Sequence, residues 1–302
     1  MKLFKSCLVA MVWFSPFVTL GQVVENDTTQ LPKYWDLGGK SSLTLTQTGQ
    51  VNWVKGGEPS MAYIGNIELF AKYNKDKHSW ENLGKFTFGQ QTQGYTQDFR
   101  TSEDKIDVAT KYGYKTSDKI FLTILSSFKS QFAKGYEYPD GIERVYVSSF
   151  FSPAYISASI GLDYKPNTST SIFVSPLSTK STFVLDTLID ETKYGLDSAA
   201  TVRHEFGAFL KATNKTVLLK NVEMENSLEL FSNYAHNPQN IDVLWEFKLV
   251  MSINKYLKTV FSTTLIYDND IDIPNDVNDA TAGVTKAVQF KEMLSVGFML
   301  EF

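Results

Sequence analysis

The stretch "MLSVGFMLEF", residues 293–302, decides the fold class. Its large apolar side chains occupy every second position: Leu294, Val296, Phe298, Leu300 and Phe302. In a β-strand, this spacing places all five on one face. A strand with such a face invites aggregation in water when its edge is unpaired. In a closed membrane barrel, the face contacts lipid and the edge pairs with the first strand. The stretch therefore predicts the closing strand of a transmembrane β-barrel.

Composition agrees with a barrel and excludes other classes. The chain has 302 residues, a formal net charge of −4 and a sequence pI near 5.5. This charge is too small to indicate a nucleic-acid partner, which requires a concentrated basic surface. Aromatic residues make up 14%, whereas mean hydropathy is only −0.18. Many aromatics with modest hydropathy exclude a helical membrane protein and are typical of strands that alternate apolar and polar residues.

The N-terminal segment, residues 1–21, resembles an export signal. It contains Lys2 and Lys5, followed by an apolar run that ends near Leu20 and small residues. This pattern predicts a secretory signal peptide. An uncleaved membrane helix is the alternative, but the run is short and Pro16 interrupts it.

The mature chain is predicted to be one domain in the bacterial outer membrane. The only cysteine, Cys7, lies in the predicted signal peptide. A mature chain without cysteine has no disulfide, thiol nucleophile or cysteine-ligated metal. We assign residues 22–39 to a short periplasmic lead segment and residues 40–302 to the barrel.

Twelve segments with period-two polarity follow the lead. We predict strands near 40–48, 63–73, 79–89, 104–115, 118–130, 154–164, 169–178, 201–212, 219–232, 241–253, 256–268 and 290–302. Short polar turns are predicted at 74–78, 116–118, 166–169, 213–217 and 254–255. Most of the intervening links are longer, namely 49–62, 90–103, 131–153, 179–200 and 269–289, whereas 233–240 is short. This alternation is typical of an all-β, closed antiparallel transmembrane β-barrel with short periplasmic turns and long external loops.

A soluble sheet with one face in water is the alternative to a membrane barrel. Two observations favour the barrel. The number of strands is large and even, as a closed bacterial barrel requires. Segments with a helical period that could cover so much sheet are nearly absent.

The inward face of the predicted strands collects charges of both signs. The acidic members are Glu68, Asp107, Asp163, Glu205, Glu223, Glu225, Glu229, Asp242 and Glu246. The basic members are Lys72, Lys85, Lys111, Lys129, Arg203, Lys248 and Lys258. One interpretation is a narrow polar pore with a weak cation preference. The other is an interior closed by salt bridges, because unpaired charges in a confined lumen are costly.

The last long link contains a candidate calcium site. Asp268, Asp270 and Asp272 stand at alternate positions, a spacing that suits oxygen ligands for calcium. The link departs from an EF-hand loop, because Ile273 replaces the turn glycine and Asp279 replaces the terminal glutamate. A solvated acidic loop is the alternative. No other cofactor is indicated.

The chain shows no pattern of an enzyme. Serine hydrolysis requires a serine, a histidine and an acidic or amide partner within reach. His204 is predicted to face lipid or the membrane interface, where an outer-membrane phospholipase places its site, but Phe206 stands where the His-x-Ser pattern of that class has serine. Phosphate-loop, dinucleotide-binding and HExxH patterns are also absent. We therefore predict a protein without catalytic residues.

Several segments together resemble one protein family. They are residues 34–60, 128–138, 148–167, 175–184, 228–246 and 265–273. In their order and amino-acid sequence, these segments resemble the Bacteroidetes family named domain of unknown function 3078. The resemblance extends over nearly the whole mature chain. The resemblance implies a secreted, outer-membrane-associated β-barrel. It implies no catalytic or ligand-binding residues, since the family has no assigned activity.

These observations leave two hypotheses for function. The first is a narrow polar channel for a small solute or ion, gated by its loops. The second is a sealed structural or accessory barrel that serves a larger cell-envelope assembly. The partners we expect are outer-membrane lipid, the barrel-assembly machinery during insertion and, for the second hypothesis, an envelope protein.

Overall fold

A computed structural model of the chain describes residues 34–48, 59–94, 98–138, 143–271, 273–274 and 283–302. The predicted signal peptide and residues 22–33 of the predicted lead lie outside these ranges. Within them, no helix is long and apolar enough to cross a membrane.

The described residues form sixteen strands and one short 3-10 helix, Glu191–Tyr194. The strands are β1 (Trp35–Thr48), β2 (Ser60–Lys75), β3 (His78–Gln93), β4 (Arg100–Lys115), β5 (Ile120–Ser130), β6 (Gly135–Glu137), β7 (Val145–Ser148), β8 (Ala154–Asn167), β9 (Thr170–Phe183), β10 (Val202–Leu219), β11 (Val222–Asn233), β12 (Ile241–Ser252), β13 (Leu257–Tyr267), β14 (Ile273–Pro274), β15 (Val284–Thr285) and β16 (Gln289–Glu301).

Twelve of these strands close into an antiparallel barrel, which confirms the predicted fold class. Their order around the ring is β1-β16-β13-β12-β11-β10-β9-β8-β5-β4-β3-β2. The pairs β6–β7 and β14–β15 are separate hairpins within two long links. Strand β1 begins at Trp35 and therefore includes residues 35–39 of the predicted lead segment.

The barrel closes where β1 meets β16. Lys40 pairs with Glu301, and Thr44 pairs with Gly297. At the end of this seam, the amide of Gly39 donates to the carbonyl of Phe302 at 2.8 Å, and the amide of Phe302 donates back at 3.0 Å. From Gly39 to Thr44, the first strand thus supplies partners for residues 297–302 of the last strand, as a hydrocarbon environment requires.

The exterior carries a band of exposed apolar side chains. In β16, Leu294 is 69% exposed and Phe298 is 63% exposed, whereas Met299 on the opposite face is 7% exposed. Neighbouring strands repeat this pattern, with large exposed residues at alternate positions: Leu43, Leu45, Ile67, Leu69, Leu122, Ile124, Ile160 and Leu162. A patch of this extent is far larger than a soluble monomer exposes.

Connections differ between the two ends of the barrel. At one end, which we name the turn end, strands are joined by residues 76–77, 116–119, 168–169, 220–221 and 253–256. At the other end, the loop end, all connections are longer. The predicted turn at 213–217 is wrong, because these residues continue β10 as far as Leu219. Cross-strand bonds hold them in the sheet: Asn214 donates to Thr170, and Lys215 pairs with Glu225.

Gly207 is expected to be required for the fit between β10 and β11. A Cβ atom at this position would clash with the backbone carbonyl of Ser232, whereas a Cβ at Gly65 would meet only the Phe88 carbonyl at 3.9 Å. We expect Gly207→Ala to lower the free energy of unfolding by about 2 kcal/mol, because the backbone must shift. Urea unfolding in lipid vesicles, followed by tryptophan fluorescence, measures the change. Gly65→Ala is the control, and equal stability of the two variants would contradict this packing.

Candidate functional site

The sixteen charged residues for which we predicted an inward position lie on the interior face of the barrel. Thirteen of them form ion pairs with other interior side chains: Asp107, Lys111, Lys129, Asp163, Arg203, Glu205, Glu223, Glu225, Glu229, Asp242, Glu246, Lys248 and Lys258. The other three are placed by register, with Glu68 opposite Lys85 and Lys72 opposite Glu81. The lumen is therefore the candidate functional site.

Ion pairs cross the lumen near its middle. Lys105 Nζ on β4 lies 2.8 Å from Glu246 Oε1 on β12. These strands are six positions apart in a ring of twelve, so the pair joins opposite walls. A second pair joins Lys129 on β5 to Glu229 on β11, with 3.0 Å between nitrogen and oxygen. Such pairs form only where the lumen is narrow enough for two side chains to span it.

Glu229 is the most heavily engaged carboxylate in this central group. Its second oxygen lies 2.7 Å from Lys211 Nζ, so it bridges two lysines. Its side chain is 16% exposed. Removing a carboxylate from water is costly, and only close cationic partners repay that cost. Glu229 therefore depends on Lys129 and Lys211, and both lysines depend on it.

A second layer of ion pairs lies nearer the turn end. Lys111 Nζ is 3.0 Å from Asp163 Oδ2, and Asp163 also accepts a hydrogen bond of 2.6 Å from Ser171. Lys165 on β8 reaches Glu81 on β3 at 2.6 Å, across three positions of the ring. The Asp163 side chain is almost fully buried, so its charge is compensated by these contacts and not by water.

A third layer lies at the loop end. Lys180 Nζ is surrounded by three carboxylates, at 3.0 Å from Asp242, 3.4 Å from Asp268 and 3.6 Å from Glu205. Beside it, Arg203 forms ion pairs with Glu205 and Asp270. The two cations thus hold the start of the 268–288 link against the barrel wall.

The predicted calcium ligands are engaged in these contacts. Asp268 pairs with Lys180, Asp270 pairs with Arg203, and Asp272 lies outside the described residues. Among the residues that the structure describes, no group of histidine, cysteine, aspartate or glutamate side chains is arranged to hold a metal ion. Asp268 and Asp270 are thus engaged by cations of the barrel wall, and the calcium site stays a prediction.

Two long links pack together beyond the third layer. In the 184–201 link, Val184, Ile189 and Leu196 form a small apolar core, against which Tyr146 and Tyr194 pack. The Tyr194 hydroxyl donates to the carbonyl of residue 147 at 2.7 Å. We name residues 131–138, 143–153 and 184–201 the loop cap. Arg203 connects the cap to the lumen, because it donates to the carbonyl of residue 195 at 2.7 Å.

Polar contacts also hold the two halves of the loop cap together. The Ser152 hydroxyl, which is buried, accepts hydrogen bonds from the amides of Leu185 and Asp186 at 2.8 and 2.9 Å. Tyr146 donates to Asp186 Oδ2 at 2.7 Å, and this hydrogen bond lowers the pKa of the Asp186 carboxyl. Burial raises the pKa of Tyr194. Both groups therefore keep the charge states that these contacts require at neutral pH.

Sequence reasoning missed several interior charges, and most of these are lysines. The missed residues are Lys40, Lys105, Lys165, Lys180, Lys211, Lys215 and Lys291, together with Glu81, Glu103 and Glu301. Strand parity could have found Lys211, which shares the parity of Arg203 and Glu205. The added lysines remove the acidic excess on which a cation preference was based.

The predicted outward direction of His204 agrees with the structure. Its Nδ1 atom lies 2.8 Å from the Ser181 hydroxyl of the neighbouring strand, and its ring contacts Phe183 edge-on. Within the described part of the chain, no carboxylate or amide is hydrogen bonded to this imidazole. A serine–histidine pair without such an orienting partner lacks an element that nucleophilic catalysis uses.

The geometry defines a closed antiparallel barrel with an ion-paired lumen. Residues 45–136 match the family model described as "Protein of unknown function (DUF3078)". The match supports the resemblance seen in the sequence over these residues. No curated protein matches the chain.

Solved structures with a similar architecture are outer-membrane barrels. The NanC porin is 8% identical, with a TM-score of 0.40 over 87% of this chain and 99% of its own. The COG4313 outer membrane channel from Pseudomonas putida F1 is 10% identical, with a TM-score of 0.40 over 92% and 100%. The translocator domain of the autotransporter NalP from Neisseria meningitidis is 7% identical, with a TM-score of 0.41 over 99% and 97%. These values are too low to transfer a function to this chain.

Removal of Glu229 tests whether the central ion pairs stabilise the barrel. We expect Glu229→Ala to lower the free energy of unfolding by roughly 3 kcal/mol, because it leaves Lys129 and Lys211 without their shared carboxylate. Glu223→Ala is the matched control. Glu223 is more exposed and lies 4.0 Å from its lysine, so its loss is expected to change stability by less than about 1 kcal/mol. Urea unfolding in lipid vesicles distinguishes the two, and a Glu229 effect no larger than the control would refute the role of the network.

Proposed function

We propose that this chain is an outer-membrane β-barrel that is closed to solutes and acts as a structural or accessory component of the cell envelope. The observation that carries the proposal is the ion pair between Lys105 and Glu246, which joins opposite walls at 2.8 Å. Outer-membrane lipid covers the exterior, and the barrel-assembly machinery inserts the chain.

The exterior supports a location in the membrane. Its exposed apolar band would be an aggregation hazard in water but is matched to hydrocarbon. The ring closes where residues 39–44 of β1 pair with residues 297–302 of β16, and such closure is the condition for a sheet in lipid. The predicted signal peptide supplies the route of export.

The ion pairs of the interior support a lumen that is sealed to solutes, in preference to one that lets a solute pass. Ion pairs connect non-adjacent strands at three heights, represented by Lys165–Glu81, Lys105–Glu246 and Lys180–Asp242. A solute would have to separate these charges, and each separated pair leaves an uncompensated charge in a confined space. Acidic and basic groups occur together at each height, so the lumen offers no region of one sign to attract an ion.

A loop-gated channel is the second candidate, and one observation favours it. A polar cavity of about 80 Å³ lies beside Glu103 and Lys291, lined by Ser262, Thr264 and Met293. A lumen with polar, partly hydrated walls becomes conductive when its ion pairs separate. In this second candidate, the loop cap restricts entry and its displacement opens the path. Neither candidate requires catalytic residues, and we propose no enzymatic activity.

Conductance in planar bilayers separates the candidates. We expect the wild-type barrel to show no conductance steps. We expect conductance only from a variant that removes the crossing pairs at all three heights, namely Lys165–Glu81, Lys105–Glu246, Lys129–Glu229 and Lys180–Asp242, with serine at each position. Removal of Lys105 and Glu246 alone is expected to leave the barrel silent, because the other pairs still cross the lumen. The control Lys215→Ser/Glu225→Ser removes an ion pair between neighbouring strands. This pair does not cross the lumen, so the control variant is expected to show no conductance.

Shortening of the loop cap completes this experiment. Replacement of residues 134–148 by a short Gly-Ser linker removes the β6–β7 hairpin and leaves every lumen ion pair in place. A sealed barrel stays silent after this change, whereas a loop-gated channel begins to conduct. Wild-type conductance, or conductance after shortening of the cap alone, would refute closure by the lumen.

A further inference from the structure

The exterior of β3 and β4 presents aromatic and cationic side chains together at the turn end. We name Lys77, His78, Trp80, Tyr112 and Tyr114 the cation–aromatic patch. Trp80, Tyr112 and Tyr114 are 40–42% exposed, although each is a large ring on a paired strand. In the β3–β4 register, Trp80 stands opposite Tyr112, and His78 stands opposite Tyr114. The patch is therefore two consecutive outward rows.

Contacts within the patch fix its side chains in place. His78 Nδ1 lies 2.6 Å from the Tyr112 hydroxyl, and the His78 ring meets Tyr114 edge-on at 5.4 Å. Lys77 Nζ lies 5.9 Å from the centre of the Tyr114 ring. The Trp80 indole donates to Thr110 at 2.8 Å. The rings thus form a preorganised surface with a cation at its outer edge.

The patch borders the apolar band. Tyr112 and Tyr114 stand opposite Ile124 and Leu122 of β5, whose side chains are about half exposed on the same outer face. Beyond the patch the chain turns at residues 76–77 and the barrel ends. The aromatic rows thus lie between the apolar band and Lys77. In a membrane, this position corresponds to the depth at which lipid headgroups meet acyl chains.

Charge differs sharply between the two ends of the barrel. The two turns nearest the patch and the strand residues beside them contain Lys75, Lys77, Lys115 and Lys119 against Asp76 and Asp118. Lys115 engages Asp118 at 3.2 Å, which leaves Asp76 as the carboxylate beside Lys77. At the loop end, acidic residues dominate the described links: Asp98, Glu137, Glu143, Asp186, Asp190, Glu191, Asp197, Asp268 and Asp270 against Lys134, Arg144, Lys193 and Lys286.

We propose that the cation–aromatic patch binds the headgroup phosphate of an anionic phospholipid in the leaflet at the turn end. Lys77 is the cationic contact, and the imidazole of His78 adds a hydrogen bond. The rings of Trp80, Tyr112 and Tyr114 pack against the glycerol and upper acyl region. The inference rests on the proposed location in the membrane and is independent of whether the lumen conducts.

Titration of phosphatidylglycerol into the folded barrel in neutral micelles tests this assignment, with bound species resolved by native mass spectrometry. We expect Lys77→Gln to weaken phosphatidylglycerol binding about fivefold, because the phosphate held at the aromatic rows loses its cationic contact. Binding of phosphatidylcholine is expected to stay unchanged. Lys220→Gln is the matched control, because Lys220 occupies another exposed turn at the same end, with no aromatic partner among the described residues. It is expected to have no effect.

Two further probes distinguish lipid from other anionic ligands. Inorganic phosphate and a short polyglutamate peptide are expected to displace phosphatidylglycerol only weakly, because neither contacts the aromatic rows. Equal losses in Lys77→Gln and Lys220→Gln would overturn the proposal, as would tighter binding of either competitor than of the lipid. Heat-modifiable migration on gels verifies that each variant remains a folded barrel, so a failure of lipid binding is separable from a failure of membrane insertion.

Discussion

Backbone satisfaction at the β1–β16 seam is the constraint on which the rest of the structure depends. In hydrocarbon there is no water to bond a free strand edge, so a sheet survives there only as a closed ring. The paired amides and carbonyls of Gly39 and Phe302 complete that ring at the turn end. Closure fixes which face of each strand points inward. The side chains of Leu294, Val296 and Phe298 therefore form part of the outer surface. The polar residues that alternate with such apolar residues along the strands point into one shared interior.

That interior is narrow enough for charges on different strands to meet, and this determines its chemistry. An isolated lysine or glutamate in a confined lumen would be strongly destabilising, whereas a carboxylate shared between two lysines, as at Glu229, is compensated. Pairs that span four or six positions of the ring also restrain the shape of the barrel, because they tie opposite walls together. The same contacts that make the charged lumen tolerable are the basis of the closure that we propose.

The strands and their inward faces were predictable from the sequence, because alternation is a local property. The wrong predictions arose because local sequence preference does not include the contacts that a segment makes with other strands. Asn214 and Lys215 favour a turn in isolation, but their partners Thr170 and Glu225 lie on other strands and keep them in the sheet. In β9, two residues that include Pro176 form a bulge, since Leu162 pairs with Val174 and Ile160 pairs with Leu177. The bulge reverses the parity that follows and points Lys180 into the lumen, whereas the sequence prediction ended this strand at residue 178 and left Lys180 in the link. No local pattern predicts that Lys105 meets Glu246, because this contact depends on ring order and lumen width.

The position of the loop cap bears on how such a barrel could be opened. The cap is attached to the lumen through Arg203, which donates to the carbonyl of residue 195 and pairs with Asp270. Displacing the cap would release the contact of Arg203 with the carbonyl of residue 195. It would leave the Arg203–Asp270 and Lys105–Glu246 pairs intact, because neither pair involves a residue of the cap. The loops therefore control only the loop-end layer of contacts, and the central layer and the layer near the turn end do not depend on them. A gate that acts through the loops alone would need to widen the sheet itself, against a continuous ladder of hydrogen bonds around the ring. In the sealed barrel that we propose, closure is a property of the barrel wall, to which the loop cap adds an outer cover.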